Sequence, residues 1–563
     1  MAFDAQHTPH DERTRKLLGV IDELEENIRR FQRGELTPEQ FRPLRLAMGV
    51  YAQLAHVKHM QRVKIPGGRM TADQVDALAE MTERWGRGLA HVTTRQDLQI
   101  HHLEITDAPD VQRLLAKAGI STLGACMDTV RNVTASPYAG VLPDEVFDVT
   151  PHAEAIDRHF TFHALNRKLP RKFKIGIAGS PRDQVLARIN DVGLFAREKD
   201  GVRGFRMYVA GGLGATPELA HLWLDFVPED DVLLAIEAVL AVFHRDGDRK
   251  NRKKNRLKFL LRKVGAEELL GRFDAELARL RDEQGESLAA TFRGLVADYA
   301  EAPPPPTEPA SASLGDAAFA RWKRSNTEAQ AQPGYRTITI KLPLGDITAP
   351  QLRRVADMAR LFGNTEIRAT VTQNLVLRFV PEQRLYALYR QLRLVDLAEP
   401  DADHVTDVVS CPGADYCSLA ITKSMGVAAR IREHLVPDGG RAEASDLVHQ
   451  IGAFDIKISG CPNSCGQHHV ADIGMTGLMV KGKDGVERPH YSLRAGGGCG
   501  RDAQIGERLD GRVPEEETPK VIAAIAKFYV AERGDGESFR EFVARKGAAE
   551  ISKVGLAAAS DVI

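Results

Sequence analysis

Apolar and polar residues follow two different periods in the first part of the chain. In HVTTRQDLQIHHLE, residues 91–104, they alternate, which is typical of a half-buried strand. In TADQVDALAEM, residues 71–81, the apolar residues recur at helical spacing, and Thr71 followed by Gln74 matches a capping box. The preceding RVKIPGG, residues 62–68, is typical of a strand that ends in a Pro/Gly turn. These patterns predict a strand–helix–strand unit.

The same unit recurs 277 positions later without a gap. The matching stretches are TIKLPLG at 339–345, TAPQLRRVADM at 348–358 and TVTQNLVL at 370–377. Further along, FKIGIAGSP at 173–181 matches FDIKISGCP at 454–462 with a slightly different shift. We therefore predict an internally duplicated α+β protein whose two halves pack about a pseudo-twofold axis, with the functional site between them.

Composition and charge exclude several classes of protein. A chain of 563 residues is too long for one hydrophobic core, and a net charge of −1 gives no general affinity for nucleic acid. No apolar stretch approaches the ~18 residues of a membrane span, and the polar N-terminus lacks the apolar region of a signal peptide. We expect a cytoplasmic protein with no nucleic-acid or membrane partner. The two copies are separated by the proline-rich APPPPTEPASAS at 302–313, which predicts an extended linker.

Four of the six cysteines form two close pairs in the second copy. Cys411 and Cys417 lie in SCPGADYC, and Cys461 and Cys465 lie in GCPNSCG. Four thiolates at these spacings hold either an iron–sulfur cluster or a structural metal such as zinc. The wide first pair and the Cys-Pro dipeptides favour a cluster, while zinc and uncoordinated core cysteines stay open as alternatives on spacing alone. The two cysteines without a close partner, which we expect to be small buried or semi-buried thiols, are Cys126 and Cys499.

The first copy carries cations instead of cysteine pairs. Serine stands where Cys411 and Cys461 align in the second copy. The basic residues on or beside predicted strand ends are Arg62, Arg95, Arg131, Lys172 and Lys174. Each one alone is explained as a solvated surface charge, whereas a convergent set would bind a small oxyanion or the carboxylates of a cofactor. One half thus has residues typical of a metal-binding site and the other has residues typical of an anion-binding site, which suggests a composite site.

Other motifs limit the source of electrons and the kind of ligand. We interpret the basic run RDGDRKNRKKNRLKF, residues 245–259, as a solvated helix or a contact for acidic groups rather than a nucleic-acid surface. The sequence has no G-x-G-x-x-G between a strand and a helix, and no P-loop motif. We therefore expect no flavin or nicotinamide site in this chain, so that a redox activity would need a separate electron donor.

Taken together, the motifs resemble those of the sulfite and nitrite reductases that contain sirohaem and a [4Fe–4S] cluster. SCPGADYC with GCPNSCG carries the resemblance, and TTRQDLQIHHL, VRNVTASP and LPRKFK are its other landmarks, over about residues 45–550. The resemblance implies a duplicated fold of ferredoxin-like half-domains and two βα-rich cofactor-binding domains. The implied segments are an N-terminal helical extension (1–50), a first ferredoxin-like half-domain (51–120), an anion- and sirohaem-binding domain (121–300), the linker (301–330), a second ferredoxin-like half-domain (331–400) and a cluster- and sirohaem-binding domain (401–563).

The resemblance also implies a role for each candidate site residue. The cluster ligands would be Cys411, Cys417, Cys461 and Cys465, and Cys465 would also bind the sirohaem iron. The residues around the bound anion, expected to act in catalysis, would be Arg62, Arg131, Lys172 and Lys174. The residues in contact with the macrocycle and its carboxylates would be Thr93, Arg95, Gln99, Gln373, Asn374 and Asn463.

Lys174 makes sulfite the favoured substrate, with nitrite as the alternative, because sulfite reducers of the family tend to have a second lysine in this stretch. An additional cation also favours the more highly charged anion. The electron donor is expected to be ferredoxin or a separate flavoprotein reductase. Two other interpretations are a relative that oxidises corrinoids and, from a different class, a zinc-stapled binding module without redox chemistry.

Overall fold

The computed structural model describes residues 8–53, 57–308, 316–436, 445–500 and 502–560, and so part of the predicted linker lies outside the described residues. No helix in these ranges is long and apolar enough to cross a membrane.

The first half contains a helical N-terminus, a small sheet and a larger sheet domain. Its first elements are α1 (Thr8–Gln32), α2 (Pro38–Ala47), β1 (Val50–Ala52), β2 (His59–Arg62), β3 (Arg69–Thr71), α3 (Ala72–Trp85), β4 (Leu89–Val92), β5 (Leu98–Leu103) and α4 (Ala108–Lys117). The larger domain consists of β6 (Thr134–Ala135), α5 (Thr150–Thr161), β7 (Ile175–Ala178), β8 (Val192–Lys199), β9 (Val202–Val209), β10 (His221–Pro228), α6 (Val232–Asp246), α7 (Leu257–Val264) and α8 (Ala266–Tyr299).

The second half repeats this order. Its small sheet and helices are α9 (Ala317–Asn326), β11 (Thr327–Ala329), β12 (Tyr335–Ile340), β13 (Asp346–Thr348), α10 (Ala349–Phe362), β14 (Glu366–Ala369), β15 (Leu375–Pro381) and α11 (Leu385–Arg393). Its larger domain consists of β16 (Val409–Ser410), α12 (Ser424–Leu435), α13 (Ser445–Ile451), β17 (Ile456–Ser459), β18 (Ile473–Lys481), β19 (Glu487–Ala495), β20 (Glu507–Arg508), β21 (Val513–Pro514), α14 (Thr518–Glu532), α15 (Phe539–Lys546) and α16 (Ala548–Leu556). The predicted internally duplicated α+β fold is confirmed.

The two small sheets exchange a strand. One has the order β1-β2-β5-β4-β13 and the other β11-β12-β15-β14-β3, so each contains a three-residue strand from the opposite half. Ile347 of β13 lies opposite Ala90 of β4, and Met70 of β3 lies opposite Ile367 of β14. These residues belong to one apolar core that includes side chains of both halves. The halves are therefore joined by hydrogen bonds as well as by apolar burial.

Each exchanged strand leads directly into a capped helix. Gln74 N donates to Thr71 Oγ1 at 3.2 Å, and Thr71 N donates to Gln74 Oε1 at 3.0 Å, which confirms the predicted capping box. Thr348 and Gln351 form the same box at the start of α10. A capping box satisfies backbone N–H groups that lack partners in the first turn of a helix.

The larger domains place parallel strands next to the site. Strands β6, β7 and β8 are parallel neighbours, as are β16, β17 and β18, and an antiparallel β9 or β19 extends each sheet. Each domain has its own apolar core. Because the carboxyl ends of neighbouring parallel strands share one edge of a sheet, the residues that follow them are brought together.

Two segments differ from the sequence interpretation. The stretch 245–259 is not one solvated helix, since α6 ends at Asp246 and α7 begins at Leu257. Between them Asp248 Oδ1 accepts the backbone N–H of Lys250 at 2.7 Å, a local turn that competes with helix. Residues 317–326, assigned to the linker, form α9, whose Phe319 and Trp322 are buried in the shared core because they are apolar.

Candidate functional site

The two cysteine pairs meet at the carboxyl edge of two parallel strands. Cys411 follows β16 and Cys461 closely follows β17, and the strands pair with Ser410 opposite Ile458. The N–H of Gly460 donates to Cys411 Sγ at 3.3 Å. The backbone of Cys417 is held by a hydrogen bond to the carbonyl of Gly413 at 2.9 Å. This arrangement brings the two predicted pairs to one place.

Glycine at two of these positions permits a close approach of backbone. A Cβ on Gly413 would lie 2.6 Å from Ser424 N, and one on Gly460 would lie 2.7 Å from Thr422 O. Gly413 also has a φ of 65°, in the left-handed region that favours glycine. Any larger side chain would push apart the loops that carry the cysteines.

The cysteines differ in exposure and in acidity. Cys411 and Cys461 are buried, whereas Cys465 is exposed. Burial raises the pKa of Cys411 to about 11, and burial also raises the pKa of Cys417 and Cys461. Cys465 acts to raise the pKa of all three other thiols, so the four groups lie within electrostatic reach of one another. Four such thiolates need a bound cationic centre, which fits an iron–sulfur cluster.

The cations of the first half lie around Cys465. Burial, together with the charge of Arg256, lowers the pKa of Lys172 to about 8, whereas Cys465 acts to raise it. Burial lowers the pKa of Lys174 well below its usual value, and the positive charges of Arg95 and Lys172 also lower it. Both lysines therefore share an electropositive region with the exposed thiol of the second half.

Arg62 and Arg131 complete this cationic region. Arg62 ends β2, and its Nη2 donates to Gln99 Oε1 at 3.1 Å while its Nε lies 3.7 Å from Asp97 Oδ1. Burial lowers the pKa of Arg131, and Arg62 adds to this effect, whereas Cys126 opposes it. The predicted anion-binding cations are thus close enough to influence one another.

The charges in this region suit an anionic occupant. The buried Nε atoms of Arg62, Arg95 and Arg131 have no hydrogen-bond partner among the residues that the structure describes. Asp97 is the carboxylate that interacts with all three arginines, and burial raises its own pKa. Asp191 also acts on Arg95 and Asp128 on Arg131, but the three Nε donors keep no partner among the described residues and are available for the carboxylates of a macrocycle or for a small oxyanion.

Several residues predicted to contact the cofactor are hydrogen-bonded to the protein itself. Gln373 Nε2 donates to Val92 O at 3.0 Å, and Gln373 Oε1 accepts from Ser410 N at 2.9 Å. Asn374 Nδ2 donates to Asp407 at 2.6 Å, and the amide is fully buried. These contacts connect the two halves and the strand that leads to Cys411. Contact of Gln373 and Asn374 with a cofactor stays a prediction.

Thr93 and Arg95 shape the loop that faces the cations. Thr93 Oγ1 donates to Asp97 Oδ1 at 2.7 Å and accepts from Arg95 N at 3.0 Å. Arg95 donates to Asn190 Oδ1 at 2.8 Å and to Ile175 O at 2.9 Å. In the cysteine loop, burial raises the pKa of Cys461, and hydrogen bonds with the backbone and side chain of Asn463 oppose that rise.

The sequence analysis missed the residues that join the two halves at Cys465. Thr94 Oγ1 donates to Cys465 O at 2.8 Å, and Gln467 Nε2 donates to Thr94 O at 3.1 Å. It also missed Asp97, although its alignment with Asn374 in TTRQDL and TVTQNL marked the position. Arg256 belongs to the run interpreted as a solvated helix or a contact for acidic groups, and it agrees with the second interpretation, since it is buried and donates to Asp191 at 2.8 Å.

Comparison with known families gives two matches, each occurring twice. A family described as "Nitrite and sulphite reductase 4Fe-4S domain" matches residues 126–279 and 401–557. A family described as "Nitrite/Sulfite reductase ferredoxin-like half domain" matches residues 51–118 and 328–395. The paired matches follow the internal duplication and together account for most of the chain.

Individual relatives agree with these matches. A ferredoxin–nitrite reductase from Synechococcus elongatus is 32% identical over 83% of this chain and 85% of its own length. A ferredoxin-type sulfite reductase from Mycolicibacterium paratuberculosis is 29% identical over 87% of this chain and 83% of its own. The structure of the Mycobacterium tuberculosis NirA protein superposes with a TM-score of 0.76, at 25% identity, over 94% of this chain and 97% of that one. The chain therefore belongs to the nitrite and sulphite reductase family.

Proposed function

We propose that the protein reduces sulfite to sulfide with six electrons, at a sirohaem coupled through the Cys465 thiolate to a [4Fe–4S] cluster. The observation that carries the proposal is the composite site, in which the exposed thiol of Cys465 lies within electrostatic reach of Arg62, Lys172 and Lys174. Such a site presents a redox centre and an anion-binding region to the same reactant. Membership of the family favours a cluster over structural zinc and an oxidoreductase over a non-redox binding module.

The two lysines support sulfite as the preferred substrate. Lys172 and Lys174 flank Phe173 and precede β7, so both belong to the segment that enters the site. The sulfite dianion gains more than the nitrite monoanion from each additional positive charge at short distance. Nitrite reduction to ammonia is the second candidate, since a relative that shares 32% of its residues is named as a nitrite reductase.

The residues of the chain bind the anion and donate protons to it. When bound, the cluster would supply electrons and the sirohaem would supply the iron site. Arg62 and Arg131 hold the oxygens of the anion and stay protonated throughout, because arginine keeps its proton in proteins. Lys172, whose pKa burial lowers to about 8, is able to give up a proton near neutral pH, and burial also lowers the pKa of Lys174 well below its usual value. The lysines therefore act as the proton donors to oxygens that leave as water.

An external protein delivers the electrons. Leu419 and Ile421 follow Cys417 closely and expose apolar side chains beside the cysteine loop, and the nearby Lys423 pairs with Asp415 at 3.4 Å. An exposed apolar patch beside the predicted cluster suits the docking of an electron-carrier protein. Ferredoxin is favoured over a flavoprotein reductase because it is the donor named for the nitrite reductase of Synechococcus elongatus.

Steady-state kinetics with sulfite and nitrite, measured side by side with a reduced dye and with reduced ferredoxin, test this function. We expect a higher kcat/KM for sulfite with both donors. A far higher kcat/KM for nitrite would instead assign the chain to nitrite reduction. A visible spectrum of the purified protein is the control, because sirohaem gives a Soret band and a red band, whereas a zinc-stapled protein is colourless.

A further inference from the structure

A second group of metal-ligating side chains lies in the first half, on elements that carry none of the four paired cysteines. His159 is in the last turn of α5, His163 follows that helix, and Glu237 lies in α6. The Nε2 atoms of His159 and His163 lie 2.6 Å and 3.4 Å from Glu237 Oε1. It is the one group of three or more such ligands found among the described residues with all donor atoms within 4.8 Å of one another.

The surroundings prepare the carboxylate for a cation. Glu237 is buried, and Gln284 of α8 donates to its Oε2 at 3.0 Å, which leaves Oε1 directed at the two imidazoles. Both imidazoles are partly exposed, so an ion has access from solvent.

The proton positions must adjust in both rings, because Nε2 of His159 and of His163 faces Glu237 Oε1 and carries a proton there. Coordination through Nε2 places the proton of each imidazole on Nδ1. For His163 this opens the contact in which Leu165 N donates to Nδ1 at 3.3 Å, at the long end of hydrogen-bond distances. The ring of His163 packs 5.5 Å from the rings of His159 and Phe160.

We propose that His159, His163 and Glu237 bind a divalent ion of the zinc type, with water completing the shell. Two imidazole nitrogens and one carboxylate oxygen are a donor set that zinc accepts in a tetrahedral site, and other late first-row ions suit the same set. The site does not depend on the reaction proposed above, because no hydrogen bond or ion pair among the described residues joins its three ligands to the paired cysteines or to the cations around Cys465.

The ion would join helices next to the segment that leads to the lysines. His163 begins the connection between α5 and β7, which contains Lys172 and Lys174. Within this connection Asn166 Oδ1 accepts from Val130 N at 2.7 Å, next to Arg131. A metal ion that holds His163 to α6 would restrain this connection and stabilise the fold.

Zinc binding to the cofactor-loaded protein tests the proposal, since its cluster cysteines are then occupied. We expect isothermal titration and metal analysis to show one tight site, and zinc to raise the midpoint temperature of unfolding. Glu237→Gln should remove the site and the thermal effect, and Gln284→Leu should weaken binding by about tenfold through loss of carboxylate orientation. The matched control is His152→Gln, because His152 pairs with Glu229 at 2.8 Å in the same domain without belonging to a three-ligand group.

Two results would overturn the site. One is a cofactor-loaded protein that binds no zinc equivalent. The other is a Glu237→Gln variant with an unchanged cofactor spectrum that binds zinc as tightly as the unaltered chain. The spectrum separates loss of the ligand from loss of the fold.

Discussion

Lys174 occupies an unfavourable position for its own charge, in the region that we propose binds the anion. Its backbone N–H donates to Asp191 at 2.9 Å, which fixes the main chain, while burial and neighbouring cations disfavour the ammonium form. A bound anion would relieve this repulsion. The lysine is therefore suited to bind the substrate and then release a proton.

Replacing Lys174 by methionine should leave the absorbance of the cofactors intact and lower turnover by about 100-fold or more, because the variant keeps the bulk and loses the proton. Absorbance and steady-state turnover with sulfite measure the two effects. Lys199→Met, at an exposed strand end, serves as the control and should change neither. Unchanged turnover in the Lys174 variant would contradict its assigned role.

Some residue roles were readable from the sequence and others were not. The cysteine spacing predicted that the two pairs lie together, and the structure brings the segments that carry Cys411 and Cys461 to neighbouring strand ends, while their role as cluster ligands stays a prediction. Gln96 and Gln373 align in the repeat, but nothing in the alignment shows that Gln96 donates to Ala369 O and Gln373 to Val92 O, each in the opposite half. Long-range hydrogen bonds of this kind depend on how the halves dock.

Among the elements, α3 and α10 are the pair most closely matched between the halves. Each has fourteen residues, begins after an exchanged strand and opens with a threonine–glutamine capping box. The boxes were predictable because their chemistry is local. The exchange of β3 and β13 was not, because a three-residue strand carries too little pattern to identify its partner.

Thr71→Ala and Thr348→Ala should each destabilise the protein by about 1 kcal/mol, since an N-cap side chain satisfies a backbone donor that alanine leaves unpaired. Chemical denaturation of the cofactor-loaded protein, followed by loss of helix signal, measures the change. Thr71→Ser and Thr348→Ser keep the hydroxyl and are the matched controls. Equal stability of the alanine and serine variants would rule out a capping contribution.

At the scale of the molecule, a cluster of charged side chains links the two halves at the sheet that contains β14 and β3. Glu366 of β14 accepts from Arg69 of the first half and from Arg368 and Arg378 of the second. Burial opposes ionisation of Glu366, but the three arginines outweigh it and hold its pKa well below the usual value. The ion cluster therefore stabilises the native arrangement above the pKa of a glutamate in the unfolded chain, about 4.3.

Glu366→Gln should lower stability by about 3–5 kcal/mol at neutral pH, because it leaves three buried guanidinium groups without their common anion. The depressed pKa predicts that the advantage of the unaltered protein is constant above about pH 4.3 and shrinks as the pH falls below it. Midpoint temperatures at several pH values measure this. Glu328→Gln, in an exposed pair with Arg182, should have little effect at any pH.

The exchanged strands give this chain the geometry of a dimer joined into one polypeptide. In a protein made of one copy alone, β4 would be an unpaired edge strand and β3 would have no sheet of its own to join. Two such molecules side by side would close both edges by reciprocal insertion, as a domain-swapped dimer does. One continuous chain allows the two copies to differ in sequence, one with paired cysteines and the other with cations, which a symmetric homodimer could not do.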